Sequence, residues 1–339
     1  MEIQTCKECG FILGTRPGTK DSGGVCLACL NKDRKKSINW EERQNWLTKY
    51  LAERRNPEGE YDVVVGVSGG KDSTSIVMRL IERHNVRHDR LLLVHVCDEF
   101  TASEAGKYNL DNLVKTYDVD LVNFRCRPKT FVEDTRKSFF EKLHPLEWIE
   151  KQLYAKPLEI AKAYNIPTVF MGENPLFEYG ESEECDIFHP SSTKETKVIY
   201  FGSIWPYSTY DSLNEAKKIG FKTLDDFDDW QRIGCGDSFS QIDSYGYIIQ
   251  LWTKFVKFGF QRVSDMACRF VREGTLTRDQ AVQMIKDSDW ICDPLAKKDF
   301  CRTIGISMKD FDDTVDRFAN KDLLVKDVNG NWRRKDLLD

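Results

Sequence analysis

A short stretch that joins an apolar run to a glycine-rich turn constrains the fold of this chain most strongly. It covers residues 61–75 and reads Tyr-Asp-Val-Val-Val-Gly-Val-Ser-Gly-Gly-Lys-Asp-Ser-Thr-Ser. Residues 62–67 are mostly β-branched, as in a strand buried on both faces, and residues 73–82 have apolar side chains at helical spacing. Adjacent glycines let backbone N–H groups approach a ligand, and the next helix directs its positive end there. The stretch therefore predicts a strand, an anion-binding loop and a helix.

The loop does not fit the two commonest phosphate-binding patterns, because it is too short for G-x-x-x-x-G-K-[ST] and lacks G-x-G-x-x-G. It resembles instead the SGGxDS loop of the ATP pyrophosphatases, or PP-loop enzymes, and matches every fixed position. The resemblance implies ATP and Mg²⁺ as ligands. The pyrophosphate of ATP would be held by Ser68, Ser73, Gly69 and Gly70. Asp72 would bind Mg²⁺, and Lys71 would add positive charge near phosphate.

An ordinary strand-to-helix turn with capping serines is the alternative interpretation of the loop. It leaves Lys71 and Asp72 without a use, because neither residue caps a helix from inside a double-glycine turn. We therefore favour a nucleotide site, with Asp72 and Lys71 as candidate catalytic residues.

Strand and helix patterns alternate after the loop, which predicts an α/β fold with a parallel sheet. Strands are predicted at residues 90–96, 120–124 and 168–171, and helices at 103–117, 131–143 and 148–164. Ligands of such sheets lie at the carboxyl ends of the strands, so the loop, Asp98 and residues 172–180 should face one crevice. Asp98 and Gly172 are accordingly candidates for contact with ATP, although an acidic residue that merely begins a loop is equally compatible with Asp98.

Four cysteines near the N-terminus have the spacing of a zinc site. Cys6, Cys9, Cys26 and Cys29 form the pattern C-x2-C-x16-C-x2-C. Two such pairs complete a closed tetrahedral site without an open position, which indicates structural Zn²⁺. A redox dithiol or an iron–sulfur cluster is the alternative, but the helical context of a thioredoxin-like motif is missing.

Composition narrows the class of protein. The net charge of −5 argues against a general nucleic-acid-binding surface. No apolar run approaches the roughly 20 residues of a membrane span, and the N-terminus lacks the apolar region of a signal peptide. The other cysteines are scattered, as expected of reduced thiols. We expect a cytoplasmic protein that binds neither nucleic acid nor membrane.

Several further motifs resemble one family of PP-loop proteins. They are Thr15-Arg-Pro-Gly18, Met171-Gly-Glu-Asn-Pro-Leu-Phe-Glu-Tyr-Gly180, Lys257-Phe-Gly-Phe-Gln-Arg262, the stretch through Asp265, Ala267, Cys268, Arg269 and Arg272-Glu-Gly, and Thr277-Arg-Asp-Gln-Ala-Val. With the cysteines and the loop, this combination is similar to the N-acetyl sugar amidotransferase family of surface-polysaccharide and flagellar-sugar biosynthesis. One departure is Cys6-Lys-Glu-Cys9, where the family's first knuckle is expected to resemble Cys-Val-Met-Pro.

That resemblance implies a reaction and its participants. An acetamido group on a nucleotide-linked, UDP-type N-acetyl sugar would become an acetamidino group, with ATP cleaved to AMP and pyrophosphate. Ammonia would come from a separate glutaminase subunit, since no cysteine here lies in a glutaminase-like nucleophile motif.

Candidate residues beyond the loop fall into two groups. Glu173, Glu178 and Asn174 surround a proline at the expected crevice, where they could orient the amide, take a proton or hold the acetamido group; loop capping is the alternative. The basic residues Lys254, Lys257, Arg262, Arg269 and Arg272 could meet phosphates of ATP or of a nucleotide sugar, or could simply be solvated.

The sequence suggests five regions: a zinc ribbon (1–36), a packing helix and linker (37–60), the PP-loop α/β domain of the adenine nucleotide alpha hydrolase-like type (61–180), an insertion over the crevice (181–240) and a helical C-terminal region (241–339). The aromatic residues of the insertion are interpreted mainly as core. Acidic residues in the helix near residue 310 exclude a DNA-binding helix-turn-helix.

Two other functions stay open at this stage. The chain could be a tRNA-thiolating or tRNA-ligating PP-loop enzyme, since zinc ribbons and PP-loops also occur together there, but the acidic balance disfavours tRNA. It could also be a non-catalytic zinc-ribbon adaptor, although the intact loop disfavours that reading.

Overall fold

The fold is built on a five-stranded parallel sheet that is extended by helices and by a cysteine-rich N-terminal segment. The structure is a computed structural model that describes residues 3–338. In chain order the strands and helices are β1 (Asp21–Ser22), β2 (Val25–Cys26), α1 (Leu27–Lys36), α2 (Trp40–Glu53), β3 (Val63–Gly66), α3 (Lys71–His84), β4 (Leu91–Cys97), α4 (Glu104–Tyr117), β5 (Asp120–Arg125), α5 (Pro128–Lys142), α6 (Glu147–Ala163), β6 (Thr168–Met171), α7 (Pro175–Glu178), β7 (Lys197–Tyr200), α8 (Thr209–Lys218), α9 (Ile248–Phe258), α10 (Arg262–Glu273), α11 (Arg278–Ser288), α12 (Pro294–Ile304), α13 (Met308–Phe318), β8 (Leu324–Lys326) and β9 (Trp332–Arg334).

The sheet confirms the predicted α/β class. Its strands lie in the order β5-β4-β3-β6-β7, and every neighbouring pair is parallel. β3 is central because its valines are buried on both sides of the sheet. The chain first continues from β3 to one side and later returns to the other side at β6. This reversal of strand order creates a crevice at the carboxyl ends of β3 and β6, which is where the glycine-rich loop begins.

Segment 181–240, expected to be an insertion over the crevice, also contributes to the sheet. Its strand β7 pairs in parallel with β6, so this part of the segment completes the α/β domain. This strand ends at Tyr200, because a 3₁₀ turn begins at Phe201. The rest of the segment includes α8, which packs on α3.

The C-terminal helices share a core with α5 and neighbouring parts of the α/β domain. Aromatic side chains of Phe131, Phe139, Phe300 and Phe311 are fully buried there. Ring pairs such as Phe139 and Phe311, with centroids 5.2 Å apart, add specific contacts to the buried area. The tail that follows α13 forms the antiparallel hairpin β8-β9.

The N-terminal segment, residues 3–36, is called the cysteine module below. It packs against the C-terminal region in one cluster that includes Phe11, Ile12, Phe260, Ala267 and Ile285. The charged residues 31–36 of this segment continue α1 as a helix. The first and last parts of the chain therefore share a core, although more than 200 residues separate Phe11 from Phe260.

Candidate active site

The glycine-rich loop holds a backbone conformation that only glycine allows without strain. Gly69 has φ +88°, and a Cβ on it would lie 2.8 Å from the carbonyl oxygen of Gly106 at the start of α4. The Ser68 hydroxyl accepts a hydrogen bond from the Gly70 N–H at 3.3 Å, and the Ser73 hydroxyl donates one to the Gly70 carbonyl at 3.0 Å. α3 begins at Lys71 without a side-chain cap. Its first N–H groups are thus open toward the crevice, as an anion site requires.

Lys71 and Asp72 form an ion pair at the mouth of this loop. The Lys71 ammonium is almost completely buried and lies 2.8 and 2.7 Å from the two Asp72 carboxylate oxygens. The Asp72 side chain is 42% exposed and faces the crevice. Burial alone would raise the pKa of Asp72, but the charge and hydrogen bonds of Lys71 and the charges of Arg269 and Arg262 bring it below its ordinary value. Asp72 is therefore an anionic carboxylate that suits Mg²⁺, which prefers oxygen ligands.

A cavity of about 360 Å³, the loop cavity, opens above the loop. Its walls include the loop residues, Asp98, Asp243, Phe239 and Tyr247. Asp98 lies where the strand order predicts, but both of its oxygens already accept hydrogen bonds, one from the Ser244 hydroxyl at 2.6 Å and one from the Phe100 N–H at 2.9 Å. It therefore anchors the loop that carries Asp243 as well as lining the cavity.

Asp243 was not foreseen from the sequence, where no motif surrounds it. Its Oδ1 is buried without a hydrogen-bond partner. Burial, together with the nearby charge of Asp98, raises the pKa of Asp243 to about 7, and burial raises the pKa of Asp98 to about 6. Two carboxyl groups thus face the loop cavity in an environment that disfavours their charged forms.

A second cavity of about 530 Å³ adjoins the first and is called the aromatic cavity. Its wall contains the rings of Tyr154, Tyr179, Tyr200, Tyr207, Tyr247, Phe258 and Phe260. The two cavities share four lining residues, Asp72, Gln241, Tyr247 and Arg262. They are therefore two halves of one crevice, and Asp72 and Arg262 stand at the junction. Gln241 and Tyr247 had no recognisable signal in the sequence.

Arg262 and Lys254 are the predicted basic residues that reach this crevice. The Arg262 side chain is about nine-tenths buried, and its Nε has no hydrogen-bond partner. Lys254 lines the aromatic cavity and forms no hydrogen bond or ion pair with the described residues. Cations held near an apolar wall without a partner attract a ligand that carries negative charge.

The other three predicted basic residues do not line either cavity. Lys257 donates a hydrogen bond to the Lys142 carbonyl at 3.4 Å on the far side of α9. Arg272 lines a cavity beneath the crevice, near the cysteines. Arg269 lies one layer behind the crevice, where it pairs with Glu173 at 2.9 Å and lies over the rings of Tyr207 and Tyr179. Its contribution is to hold Glu173 in place.

The acidic and amide candidates after β6 also fall into two groups, those that line the aromatic cavity and those that do not. Gly172 and Glu173 line the aromatic cavity, and the Tyr179 hydroxyl donates a hydrogen bond to Glu173 at 3.1 Å. Asn174 and Glu178 do not line it. Asn174 is 2% exposed; it caps α7 by accepting from the Phe177 N–H and donates to the Asp186 carbonyl and the Ser203 hydroxyl. Glu178 pairs with Lys35 of the cysteine module at 2.5 Å. Capping and packing, the alternative considered for these two residues, account for their positions.

The four cysteines come together as the spacing predicts. Their Sγ atoms lie within 4.8 Å of one another, and all four side chains are buried. The Cys6–Cys29 and Cys9–Cys26 sulfur distances are 3.9 and 3.8 Å. Thiolates about 2.3 Å from a tetrahedral Zn²⁺ would be about 3.8 Å apart, so the donor set fits this ion. Four thiols leave no open coordination position on a bound ion, so the cluster suits a structural role and not the chemistry at Asp72.

The fold and site together define a PP-loop type of α/β domain with an added cysteine module. Residues 226–337 match the family described as "LPS biosynthesis protein WbpG-like, C-terminal domain". Through this region the chain is related to that family, which confirms the resemblance to surface-polysaccharide biosynthesis proteins. A search among curated proteins found no match.

Solved structures with a similar fold include two synthetases. The NH3-dependent NAD synthetase from Campylobacter jejuni subsp. jejuni NCTC 11168 is 12% identical, with a TM-score of 0.36, over 54% of this chain and 75% of that one. The NMN synthetase from Francisella tularensis is 13% identical, with a TM-score of 0.36, over 70% and 94%. These scores are low, so the site is argued from its own geometry. With the family match, the complete PP-loop supports an ATP-dependent PP-loop enzyme.

Helix lengths bear on one further expectation. Among residues 3–338, no helix is both long and apolar enough to cross a membrane. The cytoplasmic location and the absence of nucleic-acid binding stay predictions.

Proposed function

We propose that this protein is an ATP-dependent amidotransferase that acts on a nucleotide-linked N-acetyl sugar, such as a UDP-linked one. The observation that carries the proposal is the two-part crevice. A phosphate-binding loop lines one half, an aromatic cavity large enough for a sugar forms the other, and the carboxylate of Asp72 lies between them. This is the arrangement that transfer of AMP from ATP to a second substrate requires.

The chemistry explains why ATP is needed. An amide carbon is a poor electrophile, because resonance gives its C–N bond a rotation barrier of about 18–20 kcal/mol. In the proposed first step the acetamido oxygen attacks the α-phosphorus of ATP, a new P–O bond forms, and pyrophosphate leaves. In the second step ammonia adds to the activated carbon, AMP leaves with the former amide oxygen, and one proton is lost. The product is an acetamidino sugar.

The residues of the loop cavity would mainly stabilise the negative charge of the phosphate groups of ATP. The open N–H groups at the start of α3, with Lys71, would hold the β- and γ-phosphates. Mg²⁺, for which Asp72 is the candidate ligand, would supply further stabilisation of the pyrophosphate leaving group when bound. Arg262, at the junction of the cavities, is suited to the α-phosphate, whose charge must be balanced during both steps.

Glu173 is the candidate for proton handling in the aromatic cavity. It is held in place by Arg269 and Tyr179, and its side chain is 24% exposed. A carboxylate in this position could orient the amide N–H or accept the proton that ammonia loses. The source of the ammonia is part of the proposal: we expect a separate glutaminase subunit, so that glutamine alone would not replace ammonium salt.

Product analysis tests the proposal. Purified protein would be incubated with Mg-ATP, ammonium salt and a panel of UDP-linked N-acetyl sugars, and the products examined by mass spectrometry. We expect AMP, pyrophosphate and a sugar in which NH replaces one oxygen. AMP formed only when tRNA replaces the sugar would support the tRNA-modifying alternative, and ATP left intact with every sugar would contradict the proposal.

A further inference from the structure

The cysteine module contributes a charged side chain to the aromatic cavity. Arg16, in the segment between Cys9 and Cys26, lines this cavity although most of the module's apolar residues pack against the C-terminal region. Its guanidinium lies 4.4 Å from the ring centroid of Phe260 and 4.9 Å from that of Tyr179, and it forms an ion pair with Asp265. The side chain is 13% exposed. The aromatic contacts hold the guanidinium against the aromatic wall of the cavity, and a guanidinium offers more N–H donors than the contact with Asp265 uses.

The cations around Arg16 outnumber the carboxylate that balances them. Asp265 interacts electrostatically with Arg16, Lys254 and Arg262, and all four residues line the aromatic cavity. Lys254 forms no ion pair with the described residues, and burial, with the neighbouring charge of Arg16 among the contributors, lowers its pKa. Because Asp265 is shared by three partly buried cations, it balances the charge of each only in part.

Four other acidic residues line the cavity, and two of them are paired with cations that do not line it. Glu173 pairs with Arg269 and Asp72 pairs with Lys71. Glu150 is 3.0 Å from the His144 ring nitrogen and also acts electrostatically on Lys254, although less than Asp265 does. Neither Glu150 nor Glu181 forms an ion pair with Lys254, so among the described residues the Lys254 ammonium stays open to a ligand in the cavity.

We infer that Arg16 and Lys254 form an anion subsite that binds an oxyanion group of the acceptor sugar. The group is either the diphosphate of a nucleotide-linked sugar or a carboxylate on the sugar itself, since both offer paired oxygens to a guanidinium. The inference rests on the proposed function in one respect, that the aromatic cavity holds the acceptor. It makes the cysteine module a determinant of specificity as well as of stability.

The binding experiment uses the full-length, zinc-loaded protein without ATP. Isothermal titration would compare UDP-N-acetylglucosamine, N-acetylneuraminate and uncharged N-acetylglucosamine. In Arg16→Gln and Lys254→Met we expect about 10- to 100-fold weaker binding of an anionic probe, because a charge-assisted contact is lost. Binding of the uncharged sugar should change less than about twofold, within ordinary context effects. Arg16→Lys should restore part of the affinity.

A matched control comes from the same module. Arg34→Gln removes an arginine that pairs with Glu183 on the surface, so binding of every probe should be unchanged. Zinc content and thermal melting of each variant would be checked first. If Arg16→Gln fails to fold, Lys254→Met carries the test, because Lys254 lies on α9 and so outside the cysteine module. A loss confined to the UDP-sugar identifies the diphosphate as the bound group, and a loss confined to N-acetylneuraminate identifies the carboxylate.

Two results would overturn the inference: wild-type protein that binds no anionic probe better than the uncharged sugar, or variants that bind the anionic probes as wild type does. Steady-state kinetics separates this inference from the proposed function. A raised KM for the acceptor with an unchanged KM for ATP supports both. Arg16-dependent binding without AMP formation would retain the subsite and refute the amidotransferase. AMP formation with an acceptor KM that is unchanged in Arg16→Gln would refute the subsite and retain the amidotransferase.

Discussion

The two halves of the crevice are built in different ways. The loop cavity is built around one contiguous motif, Ser68 to Ser73, which holds the predicted phosphate-binding groups, and Asp98, Phe239 and Asp243 complete its walls. The aromatic cavity combines Arg16, Glu173, Tyr207 and Lys254, which are far apart in sequence. The difference teaches that the proposed nucleotide site is encoded mainly by a local motif, whereas the proposed acceptor site depends on how the first and last parts of the chain pack together.

Removing zinc should have the largest effect, and it should affect the two halves of the crevice differently. Structural Zn²⁺ contributes about 10–16 kcal/mol to the folding of small zinc-binding peptides, so a chelator should unfold the cysteine module. In hydrogen exchange we expect loss of protection across residues 3–36 and in α10 and α11, which pack on the module, while β3 and β4 stay protected. Binding of the acceptor should be lost and binding of ATP largely kept.

Adding Zn²⁺ back would serve as the control, with protection and acceptor binding expected to return. Equal loss of protection in β3 and β4 would show that the two halves do not fold separately, and the comparison would fail.

Asp72→Asn should impair the reaction of ATP far more than binding of the acceptor, although Asp72 lines both cavities. Loss of the carboxylate leaves the leaving pyrophosphate less well stabilised, and we expect the rate of AMP formation to fall about 100- to 1000-fold. Acceptor affinity, measured by titration, should change little. Asp111→Asn is the matched control, because Asp111 pairs with Lys115 on the exposed surface of α4. AMP formation at the wild-type rate in Asp72→Asn would remove this residue from the site.

The pH dependence of stability should report on the carboxyl groups of the loop cavity. The pKa of Asp243 is raised to about 7 in the folded protein, whereas in the unfolded chain it is about 4. The folded state therefore binds the proton more tightly, and stability falls as the pH rises from about 4 to about 7. In Asp243→Asn this fall should be smaller by about 1 kcal/mol or more, which thermal melting at pH 5 and pH 8 would detect. Identical melting profiles in the two proteins would contradict the assignment.

The smallest effect is expected for Asn174→Ala. Although Asn174 belongs to the sequence motif near the crevice, it caps α7 and does not line either cavity. Its loss should destabilise the protein by about 1–2 kcal/mol in urea unfolding, with the KM for the acceptor unchanged. A selective loss of turnover at normal stability would instead place Asn174 in the acceptor site, and would move the boundary between the two halves.

Local patterns in the sequence predict the loop cavity well. The β-branched run before the loop forms β3, the helix after it is α3, and the alternation that follows gives the parallel sheet. The cysteine spacing likewise predicts the cluster of four thiols, because ligand spacing reflects the geometry of the ion. In each case the residues that matter are close together in the chain or follow a known period.

The aromatic cavity was harder to predict, for a physical reason. Lys254 and Lys257 have the same charge and lie one turn apart, yet only Lys254 reaches the cavity, since the packing of α9 against other helices decides which side faces inward. Asp243 and Gln241 lie in a loop without periodicity. Arg16 was noticed only as part of a resemblance, and its position depends on contacts with Phe260 and Asp265 that no local pattern records.

The shared core of the cysteine module and the C-terminal region has a consequence for the protein during its synthesis. Phe11 and the cysteines leave the ribosome long before Phe260, Ala267 and Ile285, against which they pack. The phosphate-binding loop and its sheet can be completed earlier, when residue 200 has emerged. A nascent chain would thus possess the loop and its sheet first, whereas the walls of both cavities are completed only when Arg262 and Asp265 have emerged.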